Sequence, residues 1–151
     1  MRIFEVMSED VATIEPTASA AAARELMRSK GINHLVVARE RDLVGILSSR
    51  DIPDETARGR RGGQTVQTLM HPDVVTIGPN ALLTKAANVM DGRSIGSLVV
   101  TARGRIVGIV TVTDLLRLVG QGAGRQPKRA ARPTLRNQVP HRKQHRAGGA
   151  W

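Results

Sequence analysis

The sequence predicts an α/β fold of the α+β type: two pseudo-symmetric β-α-β-β-α repeats packed through their sheets, followed by a disordered basic C-terminal tail. Three observations predict it: an internal repeat, elements that recur in the same order in both copies, and a change in charge after residue 120. The chain has 151 residues, no cysteine, one phenylalanine, one tryptophan and no tyrosine. This composition excludes a disulfide scaffold, cysteine-bound metal sites and base stacking on aromatic platforms.

The internal repeat has a period of 63 residues and aligns the chain with itself without a gap. Residues 6–52 and 69–115 share 17 identical residues in 47 positions. One repeat of ~60 residues buries too little surface to be stable alone. We therefore expect residues 1–120 to form a single pseudo-two-fold module. Its predicted parts are repeat 1 (1–58), a glycine- and arginine-rich linker (59–64) and repeat 2 (65–120).

Each repeat is predicted to start with a short strand and a helix. Thr17 and Asn80 are good N-cap residues, because their side chains can accept a hydrogen bond from the first helical turn. Gly31 and Gly92 stand where glycines commonly end helices. The predicted ranges are 11–14 for the first strand and 18–30 and 81–91 for the helices.

A β-hairpin and a second helix complete each repeat. The hairpin strands are apolar and rich in β-branched residues, and they flank short polar turns. The predicted strands are Leu35–Ala38, Leu43–Leu47, Leu98–Thr101 and Ile106–Val110. A last helix is predicted over about 50–57 and again over 114–119, where Pro53 is tolerated only in the first turn.

The strongest local motif runs from Gly45 to Asp51 and recurs from Gly108 to Asp114. In each copy a buried strand ends at a hydroxyl residue, and an aspartate follows at a helix start. Free N–H groups at a helix N-terminus suit a phosphate, and carboxylate oxygens suit a ribose diol. The structural alternative is that the hydroxyl caps the helix and the aspartate favours its dipole. The presence of two copies in register favours ligand binding.

These motifs, with the segments Ala12–Pro16 and Val75–Pro79, resemble a tandem pair of CBS domains, the Bateman module, over roughly residues 3–119. The resemblance implies a regulatory module that is not an enzyme and requires no cofactor. Its implied ligand is AMP, ADP, ATP or S-adenosylmethionine, bound in clefts between the repeats and sensed by a partner. It also implies a homodimer formed through helical faces.

The resemblance further implies that each cleft draws on both repeats. One cleft would join Ser48, Arg50 and Asp51 to Thr76, Ala81, Ile95, Gly96 and Ser97. The other would join Thr111, Thr113 and Asp114 to Thr13, Ala18, Ile32, Asn33 and His34. The aspartates would hold the ribose. The cleft with Arg50 is the better candidate for a polyphosphate, because an arginine–phosphate contact is charge-assisted and can be bidentate.

The segment 121–151 carries eight basic and no acidic residues, whereas residues 1–120 carry 15 basic and 13 acidic ones, a net charge of +2. It has too few apolar residues to offset ordering entropy, which predicts disorder. It could be a solvated extension, contact nucleic-acid phosphates, or contact an acidic partner or membrane surface. Nucleic-acid binding through this tail is the alternative function, with the body dimerising or sensing.

The sequence contains no pattern typical of an enzyme or a membrane span. No apolar run approaches the ~20 residues that cross a bilayer, and no secretory signal is evident, so we expect a cytoplasmic protein. A Walker motif and a Ser/His/Asp set are missing. His34 and His71 have no cysteine or carboxylate at metal-ligand spacing, so no metal site is predicted.

Overall fold

The structure, a computed structural model, describes residues 1–54 and 63–123 and contains two three-stranded sheets. In each sheet the first strand runs parallel to the middle strand, and the third runs antiparallel to it. Sheet 1 consists of β1 (Thr13–Ile14), β2 (His34–Arg39) and β3 (Asp42–Ser48). Sheet 2 consists of β4 (Thr76–Ile77), β5 (Ser97–Ala102) and β6 (Arg105–Thr111). The predicted α+β class and the two repeats are confirmed.

Four α-helices are described: α1 (Ala20–Lys30), α2 (Val66–Leu69), α3 (Leu83–Arg93) and α4 (Val112–Ala123). The helix predicted over 114–119 is thus longer at both ends, and the rest of the predicted basic tail lies outside the described residues. Across residues 1–54 and 63–123, the helices are too short or too polar to traverse a bilayer.

The helix predicted over 50–57 is wrong for the described part of that range. Ser49–Asp51 form one turn of 3₁₀-helix, and Ile52 is extended, with φ −89° and ψ 116°. The physical reason is Pro53, whose ring disfavours helical geometry in the preceding residue. Residues 55–57 lie outside the described part of the chain.

The predicted N-caps are wrong by two residues in both repeats. Ser19, not Thr17, caps α1 and accepts a hydrogen bond from the Ala22 N–H at 3.1 Å. Leu82, not Asn80, stands at the N-cap of α3, without a side-chain bond. The helices start late because a turn precedes each one, closed by Ala18 N–H to Glu15 and by Ala81 N–H to Gly78.

The predicted glycine C-cap is confirmed in repeat 1 and wrong in repeat 2. Gly31 ends α1 in the left-handed conformation, with φ 63°. Gly92 lies inside α3, and the left-handed C-cap is Ser94, with φ 53°. Glycine preference is therefore a weak indicator where a serine can take the same backbone conformation at some energetic cost.

Each hydrophobic core is completed by a residue from the N-terminal segment of the other repeat. Ile3 is fully buried in the core of repeat 2, and its N–H donates to the Ala81 carbonyl at 3.0 Å. Val66 is fully buried in the core of repeat 1, and its N–H donates to the Ala18 carbonyl at 2.8 Å. This exchange interlocks the two repeats.

The faces of the sheets opposite these cores are also covered. Val36 and Val99 are fully buried but belong to neither core cluster. Strand alternation places them on the face opposite Leu35 and Leu98, which do belong to the cores. The two repeats therefore pack through their sheets.

Candidate functional site

The end of β3 is organised around Asp51. Its Oδ2 accepts a hydrogen bond from the Ser48 N–H at 2.8 Å, and the Ser48 side chain with the Asp51 N–H completes a reciprocal capping box. The strand delivers Ser48 to this position because β3 pairs with β2 up to the register Ser48–His34. The motif therefore fixes the carboxylate beside a turn of exposed backbone.

The end of β6 repeats this arrangement around Asp114. Its Oδ2 accepts hydrogen bonds from the Thr111 N–H at 2.8 Å and the Thr111 hydroxyl at 2.9 Å. The Asp114 N–H returns a longer bond of 3.3 Å to the Thr111 hydroxyl. The capping role considered from sequence is thus present in both repeats. It uses one oxygen of each aspartate, and the other oxygen remains for further contacts.

The outer oxygens of the two aspartates have different surroundings. Asp51 Oδ1 lies 2.8 Å from His71 Nε2, and the His71 side chain is 65% exposed. Asp114 Oδ1 lies 3.9 Å from a guanidinium nitrogen of Arg117, one turn further along α4. Asp51 is therefore engaged by a residue of repeat 2, whereas Asp114 has a more distant partner on its own helix.

The environment of Asp51 favours its charged form. Burial would raise the pKa of this carboxyl, but hydrogen bonds outweigh burial and the net effect is a lowered pKa. The bonds come from the Ser48 N–H, the His71 ring and the Ser48 hydroxyl, and the charge of His71 acts in the same direction. Asp51 is thus an ionised acceptor at neutral pH.

His34 stands where the two predicted clefts meet. A β-carbon built on Gly96 would lie 3.3 Å from His34 Nε2, so residues of opposite clefts are in contact. Burial lowers the pKa of His34, while the charges of Asp51 and Asp114 raise it and that of Arg50 lowers it. The charges of both aspartates therefore influence the protonation of His34.

The other predicted residues surround this centre. Asn33 and Gly96 accept backbone hydrogen bonds from Ser49 and Val112, and so tie the start of each hairpin to its aspartate turn. Four of the predicted residues pack against the cores: Ile32, Ile95, Ala18 and Ala81. Ser97 pairs with Thr111 in sheet 2. Four others are exposed: Thr13, Thr76, Arg50 and Thr113. Within residues 1–54 and 63–123, no hydrogen bond or ion pair joins Thr76 or Ala81 to Asp51.

Some of the predicted residues line one of two separate cavities. A cavity of about 430 Å³ in repeat 1 includes Ile32 and Asn33. A cleft of about 320 Å³ between the repeats includes Thr13, Arg41 and Arg105. Neither is lined by an aspartate of the motif. The sequence did not predict that Arg41 and Arg105 line this cleft, because neither arginine belongs to a recognised motif.

The sequence did not predict the contact between His71 and Asp51. The two residues are 20 positions apart, which is no recognised metal-ligand spacing. The internal repeat aligns His71 with Ser8. In the described part of the chain, no group of three or more histidines, cysteines and carboxylates could hold a metal ion.

The fold and site define a class of protein: a paired-repeat α+β module with a capped aspartate at the end of each sheet. The family model of the CBS domain matches residues 3–55 and 66–121 of this chain. The chain belongs to the CBS domain family.

Among its relatives, the CBS domain-containing protein YhcV of Bacillus subtilis is 32% identical over 114 residues, covering 75% of this chain and 81% of YhcV. A homoserine O-acetyltransferase of Methanococcoides burtonii is 36% identical over 120 residues, covering 78% of this chain. The chain spans about a quarter of that enzyme's length, 24%.

A similar solved structure is the CBS domain pair of protein MJ0100 in complex with 5′-methylthioadenosine and S-adenosyl-L-methionine. It has a TM-score of 0.73 and 28% sequence identity, and the match covers 81% of this chain and 98% of that one. The family and the fold of this chain are therefore those of a CBS domain pair.

Proposed function

We propose that this protein is a non-catalytic sensor that binds an adenine-containing ligand between its repeats and passes its occupancy to a partner. The observation that carries the proposal is the pair of aspartates, each fixed by its capping bond with a second oxygen directed to other groups. The adenosine ligands of the MJ0100 pair support the same ligand class. A cytoplasmic location remains part of this proposal.

In this proposal the Oδ1 atoms of Asp51 and Asp114 accept the ribose hydroxyls, while Oδ2 keeps the backbone turn in place. Arg50 is exposed beside Asp51 and provides charge for phosphates, whereas Thr113 holds the same position in repeat 2. A ligand seated between the repeats favours one relative pose of the sheets. The exchanged segments containing Ile3 and Val66 would transmit that pose to both cores.

Isothermal titration calorimetry with adenosine, AMP, ATP and S-adenosylmethionine tests the proposal directly. We expect binding to the intact chain, and a loss of about tenfold or more at the altered cleft in Asp51→Ala and Asp114→Ala, since each removes a charged hydrogen-bond acceptor. Thermal melts at saturating ligand check that the variants are folded. The proposal is wrong if no adenine compound binds the intact chain.

Exchanging the residues at positions 50 and 113 tests phosphate contacts separately from ribose contacts. Arg50→Thr installs the residue of repeat 2 and should weaken ATP binding while leaving adenosine binding unchanged. The reverse change, Thr113→Arg, should strengthen ATP binding at the second cleft. Equal effects on ATP and adenosine would contradict the phosphate role of Arg50.

We also propose that the chain forms a homodimer through α4. Leu115 packs against the core of repeat 2, yet Leu116 and Val119 on the same helix are 65% and 70% exposed. A second copy can cover these side chains with the same surface, because a two-fold interface is self-complementary. Light scattering should show a dimer that becomes a monomer in the double variant Leu116→Gln, Val119→Gln. Phe4→Gln, another exposed apolar residue, is the matched control and should remain dimeric.

Nucleic-acid binding is a second candidate, favoured by the charge of residues 121–151, which carry eight basic and no acidic side chains. Such contacts form through phosphates and weaken steeply with salt. The full chain should retard DNA or RNA in gels at low salt, and deletion of residues 124–151 should abolish the effect without changing adenosine binding. No retardation at low salt eliminates this candidate.

A further inference from the structure

We propose that His71 controls ligand affinity at the first cleft: its imidazole occupies the Asp51 oxygen that a ribose hydroxyl would need, so a ligand binds only after the ring moves away. This inference rests on the proposed function. Its basis is the 2.8 Å contact between His71 Nε2 and Asp51 Oδ1, the one oxygen of this carboxylate that the capping box does not use.

Backbone hydrogen bonds fix the main chain of His71, while its side chain is largely exposed. The His71 N–H donates to the Ile46 carbonyl at 2.9 Å, and the Ile46 N–H donates to the His71 carbonyl at 3.0 Å. The side chain itself is 65% exposed, so a rotamer change can release Asp51 without breaking these bonds. Release therefore requires no unfolding of the segment that enters repeat 2.

Repeat 2 provides an internal comparison. Ser8 aligns with His71 and makes the same pair of backbone hydrogen bonds with Ile109, at 2.9 and 3.0 Å. Among the described residues, the Ser8 hydroxyl makes no hydrogen bond with Asp114. The backbone arrangement is thus shared by both repeats, and only the side chain differs. The second cleft has an aspartate that no residue of this segment engages.

The test exchanges the two residues and uses adenosine as the probe, because adenosine has no phosphate that titrates near neutral pH. In the full chain at pH 7.5, His71→Ser should tighten binding at the first cleft by about three- to tenfold, the effect of removing one competing hydrogen bond. Ser8→His should weaken binding at the second cleft by a similar factor. The double exchange should invert the order of the two affinities.

Three results overturn the inference. If His71→Ser weakens binding, His71 is a ligand contact rather than a competitor; if it changes nothing, the ring does not compete. In both cases the proposed function stands. If adenosine binds no variant, the proposed function fails and the gating role fails with it. Nuclear magnetic resonance of the His71 ring in the intact protein and in Asp51→Asn shows separately whether the contact exists.

Discussion

Gly108 lies so close to Met7 that a β-carbon built on the glycine would be 2.6 Å from the methionine sulfur and 3.0 Å from the Ser8 carbonyl oxygen. Gly45 has the same relationship to Met70, with a corresponding sulfur distance of 2.5 Å. The glycine of each motif therefore makes room for the N-terminal segment of the other repeat. This explains why the motif begins with glycine in both copies, independently of any ligand.

Gly45→Ala and Gly108→Ala should each lower the free energy of unfolding by about 1–3 kcal/mol, the usual effect of overpacking. The methionine can move, but the backbone carbonyl beside it has less freedom. Gly92→Ala is the control: Gly92 lies inside α3 with nothing within 4 Å of a β-carbon, so we expect a gain of about 0.5–1 kcal/mol. Urea denaturation followed by circular dichroism measures all three. Unchanged stability in both motif variants would show that the segments containing Met7 and Met70 can move away from the added methyl group.

Replacing the C-cap serine of α3 by glycine should stabilise the fold, whereas replacing the C-cap glycine of α1 by serine should destabilise it. Ser94 adopts φ 53°, a conformation that costs an L-residue about 1 kcal/mol and glycine little. Ser94→Gly should therefore raise the melting temperature, and Gly31→Ser should lower it. A lower melting temperature for Ser94→Gly would show that the serine side chain contributes more than the backbone conformation costs.

The aspartates should stabilise the fold as well as bind ligand. Asp51→Ala and Asp114→Ala each remove the acceptor of a capping bond, which typically costs about 1 kcal/mol. The folded pKa of Asp51 is lowered, so its contribution is fully present above the ordinary aspartate pKa, near ~4, and is lost as the pH falls through the folded value. The stability difference between the intact chain and Asp51→Ala should therefore shrink below pH ~4. A difference that is constant with pH would contradict an ionic cap.

His34 should make the fold less stable in acid. Its folded pKa is lowered, mainly by burial, so below the ordinary histidine pKa of ~6.5 the unfolded state binds more protons and stability declines. His34→Ser installs the residue that repeat 2 carries at this position and should lose less stability between pH 7.5 and 5.5 than the intact chain. The two proteins differ only at this position, so the difference between their pH profiles isolates His34. Parallel pH profiles would show that the ring is not constrained by burial.

Local patterns were sufficient for most of the architecture. Apolar runs rich in β-branched residues predicted the hairpin strands, the 63-residue period predicted two equivalent units, and Gly31 predicted one helix end. Helix starts were less accessible. Thr17 and Asn80 have suitable side chains, but both belong to turns whose neighbouring carbonyls bond to a distant segment. A contact far along the chain overrode the local preference.

The sequence by itself determined the two repeats, their strands and the paired aspartates, because these depend on residues close together in the chain. Only the tertiary structure decided that Ile3 completes the core of repeat 2 and Val66 that of repeat 1. It also decided that His71 contacts Asp51 and that His34 lies beside Gly96. Each of these contacts joins residues that share no local pattern, and packing of one repeat against the other brings them together. The pseudo-symmetry visible in the sequence thus describes the scaffold, and the side chains that differ between the repeats give Asp51 and Asp114 different surroundings.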